Sequence, residues 1–294
     1  MVPRVVPLVL AAVLLSWTGS AVAETGEASE GTVAGVAVAH VGPLDGLLRN
    51  LGGAFSGVNL VYPLLAVAAT TTMATQDVDL DVHNYFHDHP NWGRAAYPSI
   101  ILGVAGPVAL FGGLHIVGRV RDNPETVGAA YAVLQASALT LGYVTVLKFF
   151  VGRPAPRDDY VPSVAADEEK LSRTFRPGFY RGGVIAGWPS GHVALTTAAL
   201  GALVAYYPDS VWLKLVMGVG VAGMMLGVSS FDRGGFHWAS DAVAGALMAF
   251  PIGTSTGRGM RKLVDGRKAR TETAWFLSPS LRPDAGGVLI GRSF

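Results

Sequence analysis

The chain has 294 residues, half of them hydrophobic and only 15% charged, with a mean hydropathy of +0.40 and a formal net charge of +1. A soluble protein of this size carries about 25% charged residues, so the deficit points to a solvent other than water. The near-zero charge balance excludes a general polyanion-binding role, nucleic acid included, and the absence of cysteine excludes disulfides and thiolate metal sites.

Residues 1–23 read as a secretory signal. Arg4 supplies the positive start, residues 5–15 are apolar apart from one proline, and Ala21-Val22-Ala23 forms a small-residue cleavage site before Glu24. Residues 24–56 are rich in glycine and alanine without firm periodicity, which predicts a linker and one short helix. Six apolar segments follow, at 57–75, 97–117, 127–147, 193–207, 211–230 and 238–255. The second and third each run 21 residues without a formal charge, and roughly 20 apolar residues are needed for a helix to cross a bilayer. Glycine and alanine are frequent inside the segments, as expected where helices approach closely in lipid. The fold expected is all-α, a membrane-embedded helical bundle of about six helices with its active site at one end. The competing expectation is a soluble helical bundle with a very apolar core.

Alternating passage of the helices places the loops 76–96, 151–190 and 231–236 on one side. Lys148, His192 and His237 all fall at that side, so three chemical groups distant in sequence converge at one end of the bundle. After Ser255 the character changes: Arg258, Arg261, Lys262, Arg267, Lys268 and Arg270 fall within 13 residues against one Asp265. Such a cluster beside a membrane helix favours the cytoplasmic face. A cleaved signal followed by six full spans would place it outside instead. Either one segment fails to cross, 57–75 first among them, or the basic cluster misleads, or the protein is fully exported; the site is expected to face the periplasm or exterior of the cell membrane. The domain reading is a signal at 1–23, a linker at 24–56, a catalytic core at 57–255 and a basic tail at 256–294. In that tail Pro279, Pro283 and Gly286-Gly287 predict turns and Val288-Leu289-Ile290 a short strand.

Three segments carry chemistry. Phosphate transfer needs positive charge around the equatorial oxygens, an in-line nucleophile and a proton for the leaving oxygen. Histidine serves as nucleophile or acid because its unperturbed pKa lies near 6.5. His237 and Asp241 are four apart, which on a helix puts them on one face. The carboxylate then orients the imidazole, as in a triad, although an ordinary structural hydrogen bond has the same spacing. Gly234-Gly235 just before them lets backbone approach a ligand. Pro189-Ser190-Gly191-His192 precedes an apolar run. Serine is a good N-cap and the N–H groups of a helix start bind anions; the plain alternative is a cap with a surface histidine. Lys148 ends an apolar run, where it either snorkels to the interface or binds phosphate.

Lys148 followed by Pro156, then Pro189-Ser190-Gly191-His192, then Ser230, His237 and Asp241 resemble the three-part signature of the type 2 phosphatidic acid phosphatase (PAP2) superfamily, whose site is shared with vanadium haloperoxidases. The resemblance covers roughly residues 57–255. It implies that His237 attacks phosphorus to form a phosphohistidine, that Asp241 orients it and that His192 protonates the leaving alcohol. Lys148, Ser190 and the Gly191 N–H would hold the phosphate. Two departures stand out: the arginines of the first and third segments are replaced by Ala155 and Phe231. Arg153, Arg157 and Arg233 lie nearby. A helix turns about 200° over two residues, so only loop contexts would let these reach in, and the expectation is that Arg153 and Arg233 substitute in part.

His83 and His87, with His89, Asp77, Asp79 and Asp81 around them, offer an i, i+4 metal pair, with a solvated rim or lid of the loop 76–96 the favoured reading. His115 reads as structural. Arg173, Arg176 and Arg181 lie in the long site-side loop, where they attract an anionic headgroup or are merely solvated, and Trp188 reads as a lid or an interface anchor. Three functions follow: a metal-independent, cofactor-free phosphatase acting on a lipid phosphate or lipid or isoprenoid diphosphate, a vanadate-dependent haloperoxidase, and a noncatalytic lipid-headgroup binder. The partners expected are a lipid phosphate substrate and the membrane, and the oligomeric state is not legible.

Overall fold

The computed structural model describes residues 41–156, 171–177, 187–234, 237–272, 275–282 and 285–292. The chain divides into a unit of residues 1–37 and one of 38–294; the segment read as a signal lies outside the described residues, and the fold below is that of the second unit. Its helices are α1 (Leu47–Ala54), α2 (Val61–Thr75, entered by a 3-10 turn at Gly57–Leu60), α3 (Val78–Asp88), α4 (Asn91–Ala95), α5 (Tyr97–Val120), α6 (Pro124–Phe150), α7 (Gly191–Tyr206), α8 (Val211–Gly234) and α9 (Ala239–Glu272). Two strands, β1 (Trp275–Arg282) and β2 (Ala285–Arg292), pair as an antiparallel hairpin in which Leu277 faces Ile290.

The expected all-α bundle is what the chain forms. Four helical stretches, 57–75, 91–120, 124–150 and 211–231, are long and apolar enough to cross a membrane. The segment expected to lie on the surface, 57–75, is among them. The fourth apolar segment instead falls short: the 16 residues of α7 extend only about 24 Å, less than the ~30 Å hydrocarbon core. Burial shows why. Only 11–17% of α5, α2 and α8 is buried in the protein, against 44% of α6. Ile101, Leu102, Ile116, Val120, Leu64, Trp212, Leu215 and Val219 are all exposed, an apolar belt far larger than water tolerates on a monomer. α7 lies inside that belt, with Val193, Ala194, Ala198, Ala199, Ala202 and Tyr206 fully buried.

The tight centre is built from small residues. A side chain at Gly245, Gly253 or Gly257 of α9 would strike the carbonyl oxygens of Ser190, Ala198 or Ala202 on α7 at 2.5, 2.5 and 2.2 Å. The spacing of eight and then four residues keeps all three on one face of α9, so the two backbones run almost in contact. Two exposed hydroxyls on α2 bond back to their own helix, Thr71 to the Val67 carbonyl and Thr75 to that of Thr71, which satisfies them in an apolar setting. α6 starts with Asn123 as N-cap, its side chain accepting from the Thr126 N–H at 3.0 Å, followed by Pro124 and Glu125 in the first turn.

Three boundaries differ from the sequence reading. The segment 76–96 is not a loop but carries α3 and α4. α3 is amphipathic in an unusual sense: its buried face carries Asp79, His83 and Phe86, so the hydrophobic pattern that announces most helices is weak. The core does not end at Ser255 either. α9 continues unbroken to Glu272, and Thr256, Met260 and Val264 are buried because the basic residues between them point outward or are paired. Arg261 pairs with Glu125 and Asp265, and Arg267 with Asp45. Finally, the single strand expected near the C-terminus is one half of a hairpin. Opposite the site, α1 is bound in by polar contacts: Asn50 donates to Gln135 at 2.9 Å, Ser255 donates to the Asn50 carbonyl at 2.8 Å, and Gln135 donates to the Pro43 and Asp45 carbonyls.

The helix contact yields a paired prediction. Gly257→Val, which forces α7 and α9 apart, is expected to lower stability by about 1–3 kcal/mol. Gly266→Ala on the same helix, where a new Cβ meets nothing within 4 Å, is expected to raise it by up to about 1 kcal/mol. Thermal unfolding in detergent, followed by helical circular dichroism, reads both signs.

Candidate active site

The site is assembled at three helix ends. Lys148 stands in the last turn of α6, Ser190 is the N-cap of α7, and His237 immediately precedes α9. The α9 start differs from the simple same-face helix pair expected. The helix begins at Ala239, so His237 lies in the approach to it, and Asp241 reaches back from the first turn. Asp241 Oδ2 accepts from the Trp238 N–H at 3.2 Å and lies 3.5 Å from His237 Nδ1. This is half of a capping box, and it turns the same carboxylate toward the imidazole.

The α7 start is locked to the α9 start. The Ser190 N–H donates to the Asp241 carbonyl at 2.9 Å, and Gly245 makes room for the Ser190 carbonyl. Ser190 Oγ is fully buried and has no hydrogen-bond partner among the described residues. A buried hydroxyl left unpaired costs about 1–3 kcal/mol, so its place at a helix start, where N–H groups bind anions, marks it as a ligand for an incoming oxygen. Lys148 is 5% exposed and donates to the Gly187 carbonyl at 2.8 Å. Gly187 has φ +104°, and a Cβ there would fall 2.4 Å from the Arg153 carbonyl. Glycine is therefore required to bring the 151–156 and 187–190 segments together.

The two imidazoles meet as the sequence predicted. The rings of His192 and His237 are 6.5 Å apart between centroids, and Lys148 is close enough to influence the charge of both. Burial holds the His237 imidazole below its ordinary pKa; Asp241 pulls it upward, and Lys148 and Arg153 add to the lowering. The ring is therefore neutral at pH 7, with its Nδ1 edge toward Asp241 and Nε2 directed away.

Arg153 occupies a different place from the one expected. All five of its N–H donors are engaged: Nε with the Ser172 carbonyl, Nη1 with Ser240 Oγ at 2.7 Å and Asp241 Oδ1 at 2.8 Å, and Nη2 with Asp79 Oδ2 at 2.6 Å and again the Ser172 carbonyl. None remains for phosphate, so the geometry does not support Arg153 as a replacement for the arginine missing at Ala155. The Phe231 ring packs edge-on against Tyr97, centroids 4.9 Å apart. Arg233 lies on the last turn of α8 and its side chain is outside the described residues, as are Arg157 and Arg181 altogether. Arg173 pairs with Asp77 and donates to the Ala74 carbonyl. His83 is buried against Trp238, ring centroids 5.6 Å apart, with His87 at 6.3 Å. Among the described residues no group of three or more His, Asp or Glu side chains is placed to hold a metal. Trp188 is anchored rather than a free lid, its Nε1 donating to Thr70 Oγ1 at 2.9 Å.

Asp79 is the residue the sequence reading missed. Its Oδ1 accepts from the Ser240 N–H at 2.8 Å, and its Oδ2 accepts from Ser240 Oγ at 2.7 Å as well as from Arg153. The available signal was the spacing of Asp79, His83 and Phe86 at i, i+4 and i+7, a helical face whose polar content disguised it.

The bundle gathers two imidazoles, an ammonium and a helix-start hydroxyl at one end. Residues 127–264 match the family model described as the PAP2 superfamily. The match begins in the first turns of α6 and ends in α9, so it spans all three chemical segments and excludes α1 to α5. No curated protein and no solved structure matches the chain. The match supports a phosphatase-type function in general.

Asp79→Ala removes one carboxylate from a buried ion cluster and leaves Arg153 partly uncompensated. Breaking such a pair costs about 3–5 kcal/mol, and a fall of that size in the free energy of unfolding, measured in detergent against denaturant, is the expected result.

Proposed function

We propose that the protein is a membrane-embedded phosphatase that hydrolyses a lipid phosphate, or a lipid or isoprenoid diphosphate, through a phosphohistidine on His237. The observation that carries this reading is the convergence of His192, His237, Lys148 and the unpartnered Ser190 Oγ at one end of the bundle. Lys148, Ser190 and the Gly191 N–H hold the phosphate. Nε2 of His237 attacks phosphorus while Asp241 holds the opposite ring edge; the N–P bond forms and the P–O bond to the leaving group breaks. Burial, His237 and Lys148 hold the pKa of His192 down to about 4, so its ring takes up a proton with the anionic phosphate bound and passes that proton to the leaving oxygen. Water, deprotonated by His192, then cleaves the N–P bond and regenerates both rings. Arg233 remains a candidate for a further phosphate contact.

A lipid substrate is favoured by the surroundings. A cleft of about 460 Å³ lies between α3, α8 and the start of α9, lined by Tyr85, Phe86, Met225, Leu226 and Val243, with Asp81 and Ser229 as its polar members. Its lining surface is mostly apolar and includes Ala242, next in sequence to Asp241, which suits a hydrocarbon chain. The apolar belt around the bundle delivers such a substrate from the bilayer, and a site facing the periplasm or exterior is the orientation proposed.

A second reading has its own support. With Ala155 and Phe231 in place of two arginines, each lost transition-state contact costs about 3 kcal/mol or more, which favours a headgroup binder without turnover. Halide oxidation with added vanadate separates the haloperoxidase alternative. Phosphate release from a panel of lipid phosphates and diphosphates is expected from the wild type and absent in His237→Ala, with a trapped phosphoenzyme lost in the same variant. Equal release from both proteins rejects the nucleophile; headgroup binding without release establishes the second reading.

The pH dependence follows from the lowered His237 titration. The ring must be neutral to attack, so activity is retained as pH falls through 6.5, the ordinary histidine value, and is lost only below it as the imidazole protonates. An acid limb of kcat/KM centred above 6.5 would contradict the burial of the nucleophile.

A further inference from the structure

Two charged residues beside the site, Asp79 and Arg153, bear on the nucleophile through Asp241. Asp79 arrives on α3, outside the stretch that matches the family, and Arg153 from the segment after α6. Arg153 is 1% exposed, and its guanidinium carbon lies 5.3 Å from the centre of the Trp238 ring and 5.2 Å from that of Phe175. The contacts run in one direction: Asp79 to Arg153 and Ser240, Arg153 to Asp241, Asp241 to His237. Burying this much charge is expensive, and well-packed apolar residues are often at least as stable. A network retained at such cost and aimed at one carboxylate fixes geometry.

We infer that Asp79 and Arg153 are positioning residues, a buried clamp that holds Asp241, and through it the ring of His237, in the attacking orientation without contacting the phosphate. This rests on the phosphohistidine reading for its kinetic consequence, but the clamp itself has a readout independent of turnover. Asp241 has two oxygens and three claims on them: Arg153 takes Oδ1, while the Trp238 N–H and His237 Nδ1 share Oδ2. Without Arg153 the carboxylate is free to rotate, and it faces Asp79 with no cation between them. The charged and titratable groups around His237 are Lys148 from α6, His192 from α7, Asp241 from α9 and Arg153 from the 151–156 segment, with Asp79 and His83 of α3 behind Arg153 and Trp238.

The test compares the full-length wild type with Asp79→Asn, Arg153→Met and Arg153→Lys in detergent micelles. Two quantities are read: kinetics with inhibition by inorganic phosphate, and the titration of the His237 ring by NMR on histidine-labelled protein, its signal being the one lost in His237→Ala. Asp79→Asn and Arg153→Met are each expected to lower kcat by about 10- to 100-fold, the usual consequence of a misplaced catalytic group. Inhibition by phosphate is expected to stay within about two-fold, because ground-state binding is not touched. Arg153→Lys, which keeps the charge and loses the fork, should recover part of kcat. The His237 titration should move up in Arg153→Met, which removes a cation, and down in Asp79→Asn, which removes an anion. Phosphate inhibition weakened tenfold with kcat intact would make Arg153 a phosphate ligand and overturn the clamp. So would a His237 titration unmoved in both variants. If Arg153→Met does not fold, the near-isosteric Asp79→Asn decides alone. Absence of turnover in the wild type sinks the phosphatase reading, while the ring titration still passes or fails the clamp.

Discussion

The two helix starts that carry the imidazoles meet because no side chain keeps α7 and α9 apart. Gly245, Gly253 and Gly257 present bare backbone to the carbonyls of Ser190, Ala198 and Ala202, and α7 answers with alanine at most facing positions. At this separation the Ser190 N–H reaches the Asp241 carbonyl, so the start of α7 is tied to the carboxylate residue beside the His237 ring at the start of α9. In lipid, where hydrophobic burial gives helices little reason to associate, close van der Waals contact between small residues is the main force available. The same contact thus supplies cohesion and sets the register of the two helix starts. Displacing it by the width of a methyl group would separate the two halves of the site.

Electrostatics is arranged around that contact. Two carboxylates, Asp79 and Asp241, and two cations, Lys148 and Arg153, lie buried at this end of the bundle, and their formal charges cancel. Arg153 pairs with both carboxylates, while Lys148 donates to the Gly187 carbonyl. An incoming phosphate adds negative charge, which Lys148 and the helix start must answer in a medium of low dielectric, where each such interaction is stronger than in water. The missing guanidiniums at 155 and 231 leave this site with fewer cations than the family signature prescribes, so the orientation of the groups that remain carries more of the burden.

Much of the fold was legible. The spans announce themselves by length and lack of charge: the segments read at 57–75, 97–117 and 127–147 lie within helical stretches that run 57–75, 91–120 and 124–150. The candidate site was legible for a different reason: serine and glycine before an apolar run, or histidine four residues from aspartate, have few roles at a helix end. Where the reading went astray, the pattern was polar. α3 hides Asp79 and His83 on its inner face, so neither its helicity nor its burial shows in a hydrophobic profile. α9 continues past Ser255 because the cations that seemed to end it point away from the core or find carboxylates on other helices, Glu125 and Asp45 among them.

Local order is written in neighbouring residues: helix lengths, caps, the small-residue face of α9 and the identity of the reacting groups all depend on side chains within a turn or two of each other. The fate of Arg153 does not. Two residues from the position where a phosphate ligand was expected, it is claimed instead by Asp79, 74 residues earlier, and by Ser240 and Asp241, 87 and 88 residues later. A guanidinium goes where its five donors are best matched, and that choice is made by partners that only the packing of separate helices brings within reach.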